Sequence, residues 1–414
     1  AAAEGPATAV HRALSALLLG TTGLLLQRAA QAARSRRRAV GRRMAGPRCS
    51  VVGRRAAGGR GAARAFRFVH ITDPQYGMHN MYGPDPENWA AEADMFAALA
   101  AKAVELSPRP DVVLLGGDMQ NFWPNEPGGI GRNRNGHLAD EQLLALDLGE
   151  RQSKHAAEVK AFIEGQGIPV VCTPGNHDLG DVPDLGTIAK YRGRWGPLHQ
   201  VAAETPAALL LALNSQCYFD SSTPELQRCK EEQNSWLREQ LDARVSDSTR
   251  LLVLLTHIPP FMAEVEEEHG WSNWRVEDRK EVLDILAGSL RGRPQPASML
   301  WVCGHFHANV ASSSSYRSVP VEIRVTGAAG TTMQWGGKLH FGGREAQAVA
   351  SKAIERAFSE DILGCHKEEA LANMQQRLRP LPSRSGFRLV DIGPDGGFKD
   401  RYFTLDEPVG ALLA

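Results

Sequence analysis

The chain has 414 residues, of which 43% are hydrophobic and 23% charged, so it can bury a sizeable core in one large domain or two or three small ones. Its 47 basic and 47 acidic residues cancel, but thirteen of the arginines and only one acid, Glu4, lie in residues 1–65. The remaining 34 basic and 46 acidic residues give residues 66–414 a net charge of −12, which opposes general nucleic-acid binding, since phosphates are held mainly by Lys and Arg.

The six cysteines are scattered along the chain and form no Cys-x-x-Cys pair. This spacing is neither that of a zinc ribbon nor that of a dense disulfide framework. The chain also has no Asn-x-Ser/Thr glycosylation site, which disfavours a secreted protein. We therefore expect a cytoplasmic protein or one in the interior of an organelle.

Residues 1–65 consist almost entirely of Ala, Gly, Arg, Leu and Val, and we predict a low-complexity N-terminal segment, disordered or used for targeting, outside the fold. The apolar stretch 13–26 is too short to span a membrane but resembles the core of a signal peptide. Many arginines with a single acid are also typical of an organellar transit peptide, which would make the protein organellar rather than cytoplasmic. Translated upstream sequence and a basic arm are the other interpretations.

From Phe66 onward, short apolar runs alternate with longer helical patterns, which predicts one domain over residues 66–414. The predicted strands are Phe66–Thr72, Val112–Gly117, Ile168–Thr173, Ala208–Asn214, Leu251–Thr256, Met299–Cys303, Val321–Thr326, Gly386–Ile392 and Lys399–Leu405. The predicted helices are Glu87–Leu106, Ala139–Glu164, Pro224–Val245 and Glu277–Leu290. This number of strands indicates an α/β fold with two packed sheets flanked by helices.

Residues 338–385 interrupt this alternation. They contain a predicted helix, Glu345–Ser359, in which Val349, Ile354 and Phe358 lie in one apolar stripe. We predict an insert that packs on the surface of the domain, or a lid over the functional site.

Five of the predicted strands end directly in a polar residue or cluster. The polar side chains at these ends are Asp73, Asp118, Asn176, His257, His305 and His307. Ligands of open α/β sheets bind beyond the carboxyl ends of the strands, so we expect these side chains to converge on one site. Gly117, Gly175 and Gly304 stand directly before three of them, where a glycine lets the chain turn sharply.

A mixed set of carboxylates, an amide and imidazoles suits two divalent cations such as Mn, Fe, Zn or Mg, because a carboxylate can bridge two hard cations while the other groups complete each shell. Two metals about 3.5–4 Å apart clamp a phosphate and lower the pKa of a bound water towards ~7. A lone histidine at a strand end is usually structural, but the full set predicts a metal-dependent phosphoester hydrolase that forms no covalent intermediate.

The motifs around these residues resemble those of the calcineurin-like metallophosphoesterase family. They are Thr72-Asp73-Pro74-Gln75, Gly117-Asp118, Gly175-Asn176-His177-Asp178, His257-Ile258-Pro259 and Gly304-His305 with His307. The resemblance covers nearly all of residues 66–407 and is greatest to a branch described as a Ser/Thr protein phosphatase. It implies a four-layer αββα sandwich of two mixed β-sheets flanked by helices.

The resemblance also implies a role for each of these residues. Asp118 would bridge the metals, Asp73 and His307 would hold the first, and Asn176, His257 and His305 would hold the second. His177 would be the general acid or transition-state stabiliser near the leaving oxygen, and Asp178 would orient its imidazole or shape the turn. Many family members have histidine where this chain has Gln75, so Gln75 is a candidate ligand that would hold the first metal more weakly or through water.

Two arginines are candidates for binding the substrate. Arg132 and Arg134 follow Asp118 in a predicted loop and could receive a substrate phosphate through bidentate hydrogen bonds, although a solvated loop is the alternative. We expect a phosphorylated protein or a small phosphate ester as substrate, no nucleic-acid partner, no stable membrane insertion and a monomeric chain.

The leading prediction is a phosphomonoesterase acting on phosphoprotein Ser/Thr, in which a hydroxide that bridges the metals attacks phosphorus directly. A phosphodiesterase or nucleotide hydrolase with the same dimetal site is an alternative, because the ligand set does not separate these reactions. A catalytically weak phosphoprotein-binding scaffold is a third interpretation, motivated by Gln75.

Overall fold

The computed structural model describes residues 64–78, 85, 87–124, 140–180, 183–220, 222–270, 272–293, 295–330, 332–334, 338–340, 379–380 and 385–407. The predicted helix Glu345–Ser359, the side chains of Arg132 and Arg134 and nearly all of the N-terminal segment lie outside these residues. No helix in the described ranges combines the length and the apolarity that crossing a membrane demands.

The elements follow one another in chain order. The first half contains β1 (Phe66–Ile71), α1 (Ala90–Glu105), β2 (Val112–Leu115), α2 (Asp140–Leu146), α3 (Leu148–Gly165), β3 (Val170–Cys172), α4 (Asn176–Leu179), α5 (Leu185–Arg194), β4 (Gln200–Glu204), β5 (Ala208–Ala212) and α6 (Gln216–Phe219). The second half contains α7 (Pro224–Arg244), β6 (Leu251–Leu255), α8 (Val276–Leu290), β7 (Ser298–Cys303), β8 (Val310–Tyr316), β9 (Val319–Val325), β10 (Thr332–Gln334), β11 (Lys338–His340), β12 (Arg379–Pro380), β13 (Gly386–Ile392) and β14 (Phe398–Thr404).

The strands form two large mixed sheets. The first sheet has the order β14-β13-β1-β2-β3, in which β1, β2 and β3 run parallel and β13 and β14 antiparallel. The second sheet has the order β12-β8-β9-β7-β6-β5-β4, with a parallel centre of β5, β6, β7 and β9. The short pair β10 and β11 stands apart from both.

The two sheets pack face to face because alternate side chains of their strands point to opposite faces. Leu210 and Val253 of the second sheet join Phe68 and Leu114 of the first in one buried apolar layer. The neighbouring Leu209 points the other way. This layer is the core between the sheets.

Helices cover the outer faces. Leu237 of α7 and Val282 of α8 pack on the outer face of the second sheet, while Phe96 of α1 and Ile163 of α3 pack on that of the first. Helix, sheet, sheet and helix therefore form four layers, and the predicted αββα sandwich of two mixed sheets is confirmed.

The element boundaries show where sequence reasoning is weakest. The predicted helix Ala139–Glu164 is two helices, α2 and α3, separated at Asp147, which has a φ of 45°. Strands β4 and β8 were not predicted from the sequence. In β8 the run Ser312–Ser315 lacks an apolar alternation, but its pairing with β9 forms the strand.

Candidate metal centre

The six predicted ligands lie at the carboxyl ends of strands in both sheets. Parallel strands place these ends at one edge of a sheet. Asp73, Asp118 and Asn176 follow β1, β2 and β3 of the first sheet, while His257, His305 and His307 follow β6 and β7 of the second. Because the sheets pack face to face, the two sets meet.

Two groups of potential ligand atoms share one aspartate. The ligand atoms of Asp118, His257 and His305 lie within 4.8 Å of one another, and so do those of Asp73, Asp118 and His307. Nε2 of His257 lies 3.1 Å from Asp118 Oδ2, and Nε2 of His307 lies 3.3 Å from Asp73 Oδ1. A carboxylate common to both groups is the arrangement that bridges two cations.

Asn176 offers an oxygen for the same purpose. Its Oδ1 is buried and forms no hydrogen bond within the described part of the chain. A buried amide oxygen without a partner is costly, and a cation beside it would remove that cost. Oε1 of Gln75 is also buried without a hydrogen bond in the described part of the chain, so Gln75 stays a candidate ligand.

Several non-glycine residues at the site have positive φ values. Asp73, Gln75, Asp118, His305 and His307 all have φ values between 42° and 69°, in the left-handed region. Each such residue costs on the order of 1–3 kcal/mol and persists only where the surroundings enforce it, which is typical of ligand sites. These five residues are therefore held in place for their side-chain directions.

Two glycines permit the close approach of the ligand segments. A Cβ on Gly175 would lie 2.0 Å from Asp118 Oδ1, and a Cβ on Gly304 would lie 2.3 Å from Asp73 Oδ2. Both positions require glycine because any side chain would occupy the space of the neighbouring carboxylate.

Hydrogen bonding fixes the tautomer of His257. Its Nδ1 lies 2.7 Å from the carbonyl oxygen of Gly116, which can only accept, so Nδ1 carries the proton and donates it. Nε2 then faces Asp118 and Asp73. A histidine that binds a metal through one ring nitrogen usually donates the other N–H to a carbonyl or carboxylate, which orients the ring.

The electrostatics favour cations. Burial raises the pKa of both Asp73 and Asp118, but the charge of His257 and the other neighbouring histidines outweighs it, so both pKa values lie below the usual range. Burial lowers the pKa of His257, but Asp118 and Asp73 raise it to about 9. Buried ionised carboxylates that attract a proton to His257 also attract divalent metals, which displace that proton.

His177 lies beside the ligands. Its backbone amide donates to Asp118 Oδ1 at 2.8 Å, and its Nδ1 lies 2.5 Å from the carbonyl oxygen of Asn121. Its Nε2 lies 3.0 Å from Gln75 Nε2 and 4.0 Å from Asp118 Oδ2. The imidazole is thus turned with Nε2 towards the centre, where a general acid has to be.

Asp178 binds the backbone rather than solvent. Its Oδ2 accepts from the amides of Asp118 and Gly175, at 2.8 Å each, and its Oδ1 accepts from Met119 at 2.9 Å. These bonds tie the turn after β2 to the turn after β3. The turn-shaping interpretation has direct support in these contacts, and a part for Asp178 in orienting His177 stays a prediction.

Sequence reasoning missed three contributors. Asn121 and Gly116 act through backbone carbonyls, which carry no signal in the residue type. Trp123 lies with its ring centroid 6.0 Å from that of His177 and also lines a pocket that reaches Asp178. A tryptophan five residues after the predicted ligand Asp118 was the available signal.

An aspartate shared by two groups of candidate ligands, buried imidazoles and an amide oxygen lie at one edge of an αββα sandwich. Together they define the class of metal-dependent phosphoester hydrolases. The comparison with known proteins agrees: residues 66–309 match the calcineurin-like phosphoesterase family, and the chain belongs to that family.

Similar proteins include serine/threonine-protein phosphatase CPPED1 of Bos taurus, 28% identical over 306 residues that span 72% of this chain and 85% of that protein. The CPPED1 of Homo sapiens is 27% identical over 307 residues, with the same shares covered. A solved structure of PhoD aligns with a TM-score of 0.44 at 13% identity, over 81% of this chain and 65% of that chain. The resemblance predicted from the motifs is confirmed.

Proposed function

We propose that the protein is a phosphomonoesterase that removes phosphate from phosphorylated Ser or Thr of proteins. The observation that carries the proposal is the sharing of Asp118 by the two ligand groups, in a chain whose relatives are named serine/threonine-protein phosphatases. A shared carboxylate supports a two-metal site, and the relatives support the substrate class.

We assign the ligands to the two cations as the family resemblance implies. Asp73 and His307, with Gln75 as a candidate, would hold one divalent ion, and Asn176, His257 and His305 would hold the other across Asp118. When bound, the two cations, Mn, Fe, Zn or Mg, would neutralise phosphate charge and acidify a water. The residues themselves bind and orient this centre and exclude bulk water, since Asp73, Asp118 and His257 are almost fully buried.

Hydrolysis breaks the bond between phosphorus and the Ser or Thr oxygen as a water oxygen bonds to phosphorus. The departing alkoxide needs a proton, and His177 is placed to supply it from Nε2. The Asn121 carbonyl accepts from Nδ1 of the same ring, so Nε2 carries a proton only in the imidazolium form. His177 would therefore act as the imidazolium, give its Nε2 proton to the departing oxygen and remain neutral with its proton on Nδ1.

Two half-buried aromatic rings flank the centre. Trp123 lies next to His177, and Phe219 lies 6.5 Å from His305, between centroids. Phe219 also contacts His269 of the acid-rich segment Glu264–His269, at 5.3 Å. Apolar rings beside the centre, one of them next to an acid-rich segment, fit a phosphorylated side chain of a protein better than a highly charged polyphosphate.

Turnover by the manganese-loaded protein tests the proposal. Phosphoserine and phosphothreonine peptides, p-nitrophenyl phosphate, bis-p-nitrophenyl phosphate and ATP would be compared at equal concentration. We expect release of phosphate from the peptides and the aryl monoester with little turnover of the diester. Preference for the diester or for ATP would favour the phosphodiesterase or nucleotide hydrolase, and tight peptide binding without turnover by fully metallated protein would favour the scaffold.

A further inference from the structure

The two halves of the metal centre belong to different sheets. Asp73, Asp118 and Asn176 are fixed to the first sheet, whereas the three histidines are fixed to the second. The separation of the ligands therefore depends on how one sheet sits on the other. The apolar layer between the sheets holds them together, but apolar burial is not directional, so it does not by itself set their relative position.

A buried polar cluster joins the sheets close to this edge. Arg388 of β13, in the first sheet, donates to Asp400 of β14, to Oδ1 of Asn309, and to the carbonyl oxygen of Val325 at 3.1 Å. Asp400 also accepts from Nε of Arg324 of β9, in the second sheet, at 3.0 Å. We call Arg388, Asp400, Arg324, Asn309 and Thr326 the inter-sheet polar cluster.

The cluster reaches the ligand segments by two routes. Asn309 is two residues beyond His307, so the guanidinium of Arg388 holds the end of that ligand loop. Thr326 Oγ1 lies 3.4 Å from Nε of Arg388 and 2.7 Å from Nδ1 of His70, three residues before Asp73. One guanidinium thus contacts the second sheet beside His307 and is linked to β1 beside Asp73.

We propose that Arg388 is a positioning residue for the metal centre, which sets the distance between its two halves by fixing the sheets against each other. A buried ion pair adds little net stability because desolvation offsets the attraction, whereas its fixed hydrogen-bond geometry specifies position. Arg388 lies outside the segment 66–309 that matches the family, so the functional unit extends into the C-terminal hairpin β13–β14.

Binding of Mn²⁺ to the full chain after removal of metal, measured by isothermal titration calorimetry, tests this assignment. In Arg388→Met, which keeps the apolar stem but removes the guanidinium, we expect Mn²⁺ affinity to fall about 10- to 100-fold, as it does when outer partners of metal ligands are lost. Arg388→Lys keeps the charge without the planar fork and should recover only part of the affinity.

The chain offers a matched control in Arg67. This arginine of β1 binds both carboxylate oxygens of Asp391 of β13, at 2.6 and 2.7 Å, so Arg67→Met also removes an arginine–aspartate pair that involves β13. We expect it to change thermal stability but to leave the Kd for Mn²⁺ within about twofold, because it contacts neither ligand loop.

An Arg388→Met protein that is folded by circular dichroism and binds Mn²⁺ like the wild type would overturn the assignment. Equal weakening in the Arg67→Met control would also overturn it, since the effect would then be general loosening. If Arg388→Met does not fold, Asn309→Ala removes the contact to the ligand loop and leaves the pair with Asp400 in place. Unchanged Mn²⁺ affinity in that variant would contradict the role.

Discussion

The backbone amide of His305 donates to both carboxylate oxygens of Asp73, at 3.1 Å each. The two residues belong to different sheets, and 232 positions separate them in the chain. Both are candidate ligands of the same centre. The same hydrogen bonds therefore join the two sheets and orient the Asp73 carboxylate. The absence of a side chain at Gly304 leaves room for this contact.

Gly304→Ala should damage metal binding and stability together. The new Cβ would lie 2.1 Å from Thr72 Oγ1 and 2.3 Å from Asp73 Oδ2, so the sheets must separate locally. We expect a loss of about 1–3 kcal/mol in the free energy of unfolding, typical of an overpacked core, with weaker Mn²⁺ binding. Urea denaturation and calorimetry measure the two effects. Gly288→Ala, on α8 where a Cβ meets nothing within 4 Å, is the control, and equal behaviour of the two variants would contradict the steric account.

Asp118→Asn should lose bound metal and nearly all hydrolysis. Asp118 is the carboxylate common to both ligand groups, and an amide in its place has neither the charge nor the second anionic oxygen that a bridge needs. We expect activity to fall more than ~100-fold, beyond the range for outer partners of ligands. Metal content after dialysis against Mn²⁺, measured by inductively coupled plasma mass spectrometry, checks the cause. Full metal occupancy would disprove the bridging role.

His177→Ala should retain metal but slow turnover. General acid catalysis contributes about 10²–10⁴-fold, and the benefit depends on how badly the leaving group needs a proton. We therefore expect a large loss of kcat on a phosphoserine peptide and a smaller loss on p-nitrophenyl phosphate, because nitrophenolate departs unprotonated. An equal loss on both substrates, or a loss of metal as in Asp118→Asn, would show that His177 has another role.

Much of this site could be predicted from sequence because its residues are marked by type and position. A strand that ends in Gly-Asp or Gly-His puts a polar side chain at the carboxyl edge of a parallel sheet, where ligands bind. The motif Gly175-Asn176-His177-Asp178 repeats that signal. Two packed sheets with flanking helices follow from the count of apolar runs, and the four-layer order follows from the family resemblance. Boundaries were correct within a few residues wherever the apolar run was unbroken, as in Gly386–Ile392.

The other contributions to the site could not be predicted from the sequence because they depend on tertiary contacts. Arg388 lies in a strand pattern and is 1% exposed, but nothing in its neighbours indicates that its partners are Asn309 and Asp400. The carbonyl groups of Gly116 and Asn121, which orient His257 and His177, belong to the backbone. Such contributions appear only when the two sheets are placed together.

Asp178→Asn separates the two roles considered for this carboxylate. Three backbone amides donate to it, and the NH₂ group of asparagine would face amide hydrogens where an oxygen now accepts. We expect a loss of about 1–3 kcal/mol in the free energy of unfolding, as for buried donors left without an acceptor, with reduced metal binding because Asp118 shifts. Equilibrium urea unfolding measures it. Unchanged stability with a reduced kcat would instead identify Asp178 as the group that orients His177.

His70 should make the fold sensitive to acid. Burial, aided by the charge of Arg388, lowers the pKa of His70 from 6.5 to about 3. The folded state thus binds the proton less readily than the unfolded state, which takes it up near pH 6.5. The stability that neutral His70 contributes is complete above pH 6.5 and is lost as the pH falls towards about 3, at roughly 1.4 kcal/mol per pH unit for one proton.

Comparison of the wild type with His70→Asn, both in excess chelator, isolates this proton, because the acid response of the metal ligands is common to the two proteins. Asparagine can place an amide near the position of Nδ1, which lies 2.7 Å from Thr326 Oγ1, but it has no group that titrates in this range. The variant should be less stable at pH 7 because a buried ring is lost, yet its free energy of unfolding should fall less steeply between pH 6.5 and 4. Parallel curves for the two proteins over that range would mean that His70 is not kept neutral by the fold.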